Sequence, residues 1–194
     1  WGRNNYGQIG QDNTTDISSP VQVGALTDWL KVSCNTQNSG AVKTDGTLWG
    51  WGRNANGEVG DGSTTTRSSP VQVGALTDWS DISCGDKATL ALKTDGTLWA
   101  WGSGGVGALG DGTTVSKSSP VQIGALTNWL KISAGLYTGG AIKTDGTLWG
   151  WGWNSYGNLG DGTVTNRSSP VQIGALTTWE LAMASRYYGG GIKA

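Results

Sequence analysis

The stretch TDGTLWGWGRNANGEVGDG, residues 44–62, decides the fold, because its frame returns at residues 94–112 and 144–162 and its second half opens the chain at Trp1. Trp1-Gly2, Trp51-Gly52, Trp101-Gly102 and Trp151-Gly152 keep one register, as do the SSPVQ segments around Pro20, Pro70, Pro120 and Pro170. The period is therefore 50 throughout, without an insertion. Self-similarity at a fixed period marks a repeat architecture, in which each repeat is one supersecondary unit. The repeats run 1–50, 51–100, 101–150 and 151–194, and the last is short by six residues because Ala194 aligns with Thr44, just before a DGTLWG unit.

Within one period the rhythm is two residues. Leu30, Val32 and Cys34 alternate with Lys31 and Ser33, and Val21 and Val23 flank Gln22, which is the pattern of half-buried strands. Asp45-Gly46 stands between two such runs and predicts a two-residue type I′ hairpin with both central residues at positive φ. Four strands follow per period, near 29–34, 39–44, 47–52 and 20–24, the last reached through a Gly-rich excursion. Four strands in 50 residues make one propeller blade, so the chain is read as all-β. Alternation puts Trp49 and Trp51 on one side of the third strand and Leu48, Gly50 and Gly52 on the other. The glycines would let a neighbouring blade approach and the indoles would fill the gap. Of 12 Trp, 11 recur at fixed repeat positions and only Trp153 does not.

Composition agrees and excludes several classes. The chain of 194 residues holds 34 Gly, where average usage near 7 % gives about 14. With 12 Trp and 14 % charged residues it is neither a helix bundle nor a disordered tail. Lys+Arg number 13 and Asp+Glu 14, so the broad positive field of a nucleic-acid binder is absent and no such partner is expected. No apolar run reaches the roughly 18–20 residues of a membrane helix, so membrane insertion is not expected either. Trp1 in place of Met implies a processed chain, an excised piece or part of a longer polypeptide.

With no His, a Ser-His-Asp or Cys-His site is impossible, and neither a metal nor a cofactor is expected. Cys34 and Cys84 sit in matching contexts, KVSC and DISC, followed in the next copies by Ala134 and Ala184. They read as small buried residues. Gly105-Val106-Gly107-Ala108-Leu109-Gly110 fits GxGxxG but lacks the strand before and the helix after that a dinucleotide loop needs. Single Asp residues at Asp61, Asp111 and Asp161 lack the alternating oxygen ligands of a calcium loop. Asn13-Thr14-Thr15 and Asn166-Arg167-Ser168 fit the glycosylation pattern, which matters only in a secretory pathway.

The string from Leu48 to Gly62, with Ile82-Ser83-Cys84-Gly85 on the neighbouring strand and Pro70 eight residues on, resembles the repeat of the regulator of chromosome condensation (RCC1) family, four times over. The resemblance implies a propeller of about seven blades and, from the family's best-known member, a guanine-nucleotide exchange factor for a nuclear GTPase. The chain departs from that pattern. The family's His after Cys-Gly is replaced by Asn38, Ala88, Thr138 and Tyr188, and a basic tail is missing. The regular GALTDW and TDGTLWGWG wording is similar to RCC1-type repeats of bacterial and bacteriophage surface or structural proteins. The cut inside the last hairpin predicts a propeller of more than four blades, completed by further residues or by a second copy.

The four copies differ mainly at two places: positions 3–8 (RNNYGQ, RNANGE, SGGVGA, WNSYGN) and 35–40 (NTQNSG, GDKATL, GLYTGG, SRYYGG). By the parity of antiparallel strands, the loops after strands one and three leave the sheet at one end, and the GALT link and TDGT hairpin leave at the other. Variation therefore gathers on one face of the disc, with only residues 12–17 adding to it at the rim. What it brings there is aromatic and basic: Arg3, Tyr6, Arg53, Lys87, Tyr137, Trp153, Tyr156, Arg186, Tyr187 and Tyr188. Such residues form interface hot spots, and aromatic rings also stack on sugars. The expected function is a non-enzymatic recognition module, a virion- or cell-surface component binding a protein or glycan through that face. The alternatives are an exchange-factor-like regulator and a structural spacer.

Overall fold

The computed structural model describes residues 1–25, 27–185 and 188–193. Strands form where the alternation places them. β1 (Trp29–Cys34), β2 (Asn38–Lys43), β3 (Leu48–Gly52) and β4 (Arg67–Gln72) make the first blade, an antiparallel sheet in that order. β5 (Trp79–Cys84), β6 (Ala88–Lys93), β7 (Leu98–Gly102) and β8 (Lys117–Gln122) repeat it as the second. β9 (Trp129–Ala134), β10 (Thr138–Lys143), β11 (Leu148–Gly152) and β12 (Arg167–Gln172) make the third. β13 (Trp179–Ala184) and β14 (Gly189–Lys193) form a half-blade of two strands.

The chain is thus an all-β propeller segment. β1, β5, β9 and β13 touch one another in turn, which makes them the inner strands around the axis. Serine hydroxyls tie this hub: Ser33, Ser83 and Ser133 Oγ accept from the N–H of Cys84, Ala134 and Ala184, each at 2.9 Å. Outside the hub the core lies between blades. Val42, Leu48 and Val73 of the first blade pack with Trp79, Ile82, Cys84, Ala91 and Trp101 of the second. As expected, the indoles bridge: Trp51, Trp101 and Trp151 Nε1 donate to the carbonyls of Gln8, Glu58 and Ala108, in the excursion of the preceding repeat, at 2.9, 2.9 and 3.1 Å.

Four expectations need correction. The fourth strand lies at 67–72, a few residues before its expected register, and in the first repeat it shrinks to one bridge, Gly2 with Ile17, because only Trp1 and Gly2 of its partner strand are present. The hairpin is not type I′. Gly46 has φ 77° but Asp45 is not at positive φ; the Gly46 N–H donates to Lys43 O and the Lys43 N–H to Thr47 O, both at 3.0 Å, a type I turn closed by a left-handed glycine. Asp45 Oδ1 holds the turn by accepting from the Thr47 N–H and Oγ1 at 2.9 and 2.7 Å. The glycine face has two separate uses: a Cβ on Gly40 would lie 2.4 Å from Ile82 of the next blade, whereas one on Gly50 would lie 2.6 Å from Val59 O in its own blade's excursion. Finally, Cys84 is buried but Cys34 is exposed, because no complete blade covers the outer face of the first. Burial, helped by the neighbouring Cys34, pushes the Cys84 thiol up to about 12, which leaves it inert.

Candidate recognition face

Three of the four excursions are built on a buried asparagine, Gly104 standing in its place after β7. Asn54 is fully buried; its Oδ1 accepts from the Val59 N–H at 2.9 Å, and its Nδ2 donates to the Ser63 and Thr65 carbonyls at 3.1 and 3.0 Å. Asn4 and Asn154 do the same work, with Oδ1 accepting from the Ile9 and Leu159 N–H at 2.9 Å. A single amide therefore satisfies a loop that otherwise has no ladder to fold on. The loop is then fixed to the turn after the inner strand: the N–H groups of Arg53, Ser103 and Trp153 donate to the carbonyls of Gln37, Lys87 and Tyr137 at 2.8, 2.7 and 3.0 Å. The two variable segments are thus side by side at one end of every complete blade, as strand parity requires.

The candidate side chains meet in part. Tyr137 and Trp153 line one cleft of about 430 Å³ with Ser103, Gly105 and Val106, at the junction of the second and third blades. Trp153 stacks edge-on against Tyr156, ring centres 5.3 Å apart at 75°. Tyr156, 71 % exposed, and Tyr188, 68 % exposed, both border the hollow between the third blade and the half-blade. Tyr137, Trp153 and Tyr156 are thus linked through one cleft and one ring pair, and Tyr188 borders the next hollow with Tyr156. Arg3 and Tyr6 lie apart, at the other end of the segment; Arg3 is exposed, and the half-buried Tyr6 donates its N–H to Gln8 Oε1 at 2.9 Å. Arg53 is held by the buried Glu58, Nη1 to Oε1 at 2.7 Å, and so braces the excursion. Lys87 is half-buried on the loop whose carbonyl receives Ser103. Arg186 and Tyr187 fall outside the described residues.

Reading the sequence missed Ser103, Gly105 and Val106. The signal was present in SGGVGA, the copy that departs most from the others, but its GxGxxG form drew attention to nucleotides. Gly105–Gly107 is a 3₁₀ turn in which Val106 has φ 56°. Among the described residues no three His, Cys, Asp or Glu side chains converge as a metal site, and no helix is long and apolar enough to cross a membrane.

Comparison with known proteins fixes the family. The model for the "Regulator of chromosome condensation (RCC1) repeat" matches residues 1–42, 45–92, 95–142 and 145–185, and a second model of the same description matches 79–108 and 129–158. No curated protein matches the chain. Among solved structures it is similar to human WBSCR16 (24 % identity, TM-score 0.84, 95 % of this chain and 50 % of that one). It is also similar to yeast RCC1, Prp20, bound to Kap60 (20 % identity, TM-score 0.85, 100 % and 49 %). A separate structure of Prp20p from Saccharomyces cerevisiae, described with its binding to Gsp1p and histones, gives 19 % identity and TM-score 0.76 over 88 % and 45 %. The chain spans about half the length of these proteins, and identities this low carry the fold alone. Four matched repeats and blades of the same build place the chain in the regulator of chromosome condensation (RCC1) repeat family.

Proposed function

We propose that the chain is a non-enzymatic recognition module, a component of a virion or cell surface that binds a protein or glycan through the end of the blades where its repeats differ. One observation carries this reading: divergent residues of separate repeats bring four aromatic side chains to the lining of two neighbouring clefts. Aromatic side chains offer large contact area at low entropic cost, which is why they dominate interface hot spots. The family's folds serve in general as binding or regulatory modules, and the association of Prp20 with Gsp1p, histones and Kap60 lends support to a protein ligand on this fold. A third strand, from the same polypeptide or from a second copy, would pair along β14 to complete the half-blade, since among the described residues β14 pairs only with β13.

The test is a binding screen of the labelled chain on cell surfaces and a glycan array, repeated with Tyr156→Ala/Tyr188→Ala and with a hairpin variant, Asp95→Ala. Loss with the tyrosine pair and retention with the hairpin variant is expected. Equal loss from the hairpin end would contradict the assignment, and accelerated nucleotide release from a small GTPase would replace it with a regulatory one.

A further inference from the structure

The repeats serve as one another's controls, and the junction of the second and third blades departs from the rest on both walls. On one wall, Gly104 stands where the other copies bury an asparagine. A Cβ there would lie 2.3 Å from Val115 O, so the backbone of the excursion has moved into the space that the amide fills elsewhere. Ala108 replaces Gln8, Glu58 and Asn158, and Val106 adopts a left-handed φ of 56° that a β-branched residue rarely takes. On the other wall, Trp153 replaces the Arg3, Arg53 and Ser103 of the other copies, and Tyr137 replaces the Gln37 and Lys87 of the first two. Of these departures Val106, Tyr137 and Trp153, from different repeats, meet in the one cleft of about 430 Å³.

Resting on the reading of this end as a recognition surface, we propose that the cleft holds a ring of a neutral saccharide. None of its five lining residues is ionised at neutral pH, so the lining supplies no counter-charge for an anionic or cationic ligand. Its size falls within the roughly 300–1,000 Å³ of small-ligand sites. Trp153 and Tyr137 supply flat apolar faces for the C–H side of a pyranose. The Ser103 and Tyr137 hydroxyls can both donate and accept, matching sugar hydroxyls that do the same. Gly105 leaves the floor open, since a Cβ there would meet only Ser103 Oγ at 3.7 Å.

The test is a titration of the whole chain, labelled at its tryptophans, with methyl α-glucoside, methyl α-mannoside, methyl β-galactoside, N-acetylglucosamine and, separately, an octaproline peptide, followed by NMR. The Trp153 indole resonance is expected to shift saturably with at least one of the four sugars, with a Kd of about 1 mM. Trp153→Arg, the residue carried by the first two copies, and Tyr137→Lys, that of the second, should each weaken the binding at least about tenfold. Because the scaffold already bears these residues, both variants should fold. The map on the unaltered chain decides the matter even where a variant does not. If none of the sugars shifts Trp153 up to about 50 mM, some fifty times the expected Kd, the proposal fails. If octaproline alone shifts it, the cleft is a peptide site: the saccharide is refuted and the recognition surface stands. Shifts confined to Trp49, Trp99 and Trp149, whose Nε1 groups donate to the TDGT hairpins, would overturn both.

Discussion

The two ends of a blade receive the same strands and use them differently. At the hairpin end every junction is a copy of the last: Gly46, Gly96 and Gly146 carbonyls accept from the N–H of Trp79, Trp129 and Trp179, each at 3.1 Å. Lys43, Lys93 and Lys143 lie over Trp49, Trp99 and Trp149 at 4.4, 4.5 and 3.6 Å from the ring centre. At the other end the backbone bonds repeat too, but the side chains around them are an ion pair in the first blade, a bare Val106 turn in the second and an indole–phenol pair in the third. Drift in exposed loops would have touched both ends alike, yet Asp45 is exposed and recurs unchanged as Asp95 and Asp145. A fixed frame with exchangeable side chains is how repeat and loop scaffolds carry specificity. The hairpin end has a surface too: Leu76, Leu126 and Leu176 recur although 48, 45 and 48 % exposed, so it is the natural control in any binding test.

The largest expected effect breaks the frame. Trp101→Ala should cost about 3–5 kcal/mol in denaturant unfolding, because it empties the junction of the first and second blades and leaves the Glu58 carbonyl with Thr89 Oγ1 as its remaining donor. Trp153→Arg should stay within about 0.5 kcal/mol of the parent. Similar losses for the two would erase the distinction between framing and recognition tryptophans. Next, Asn54→Ala should cost about 2 kcal/mol or more, since the Val59 N–H is buried and loses its acceptor.

How far the sequence reaches depends on the distance a feature spans. The 50-residue register, the strand positions and the bridging indoles were legible because each depends on a local alternation repeated four times. The turn type was not, because Asp-Gly serves both hairpin geometries, which differ in the φ of Asp45. Cys34 was misjudged because burial comes from the neighbouring blade, not from the strand itself. The end of the blade on which the candidates gather was legible from parity, but the cleft was not, since its walls come from different repeats. Arg53 illustrates the limit: its type suggests a free basic contact, and its place beside Glu58 makes it a brace.

Acid should loosen the variable end's excursion. Burial raises the Asp161 carboxyl, but hydrogen bonds from Thr163 and Arg167 outweigh it and hold it at about 2, and Asp61 is lowered by the equivalent Ser63 and Arg67. A folded value below the unfolded one gives stability that is present above about pH 4 and lost as pH falls toward 2. Asp161→Asn should therefore differ most from the parent near neutral pH and converge with it in acid; a constant difference across that window would contradict the pairing. The smallest effect sharpens the hairpin end. Lys43 and Lys93 pair with Asp28 and Asp78 at 3.4 and 3.2 Å, whereas the third repeat has Asn128 in the place of that Asp and Lys143 is lowered by burial. Asn128→Asp should raise stability by under about 1 kcal/mol, the effect fading in high salt.

The most direct measurement of the central claim is a hydrogen–deuterium exchange footprint of the whole chain while bound to the partner or glycan found in the screen. Slowed exchange at residues 103–108, 135–137 and 153–158, with the turns at 44–47, 94–97 and 144–147 unchanged, is expected. Protection of those turns with the variable loops unprotected would contradict the claim.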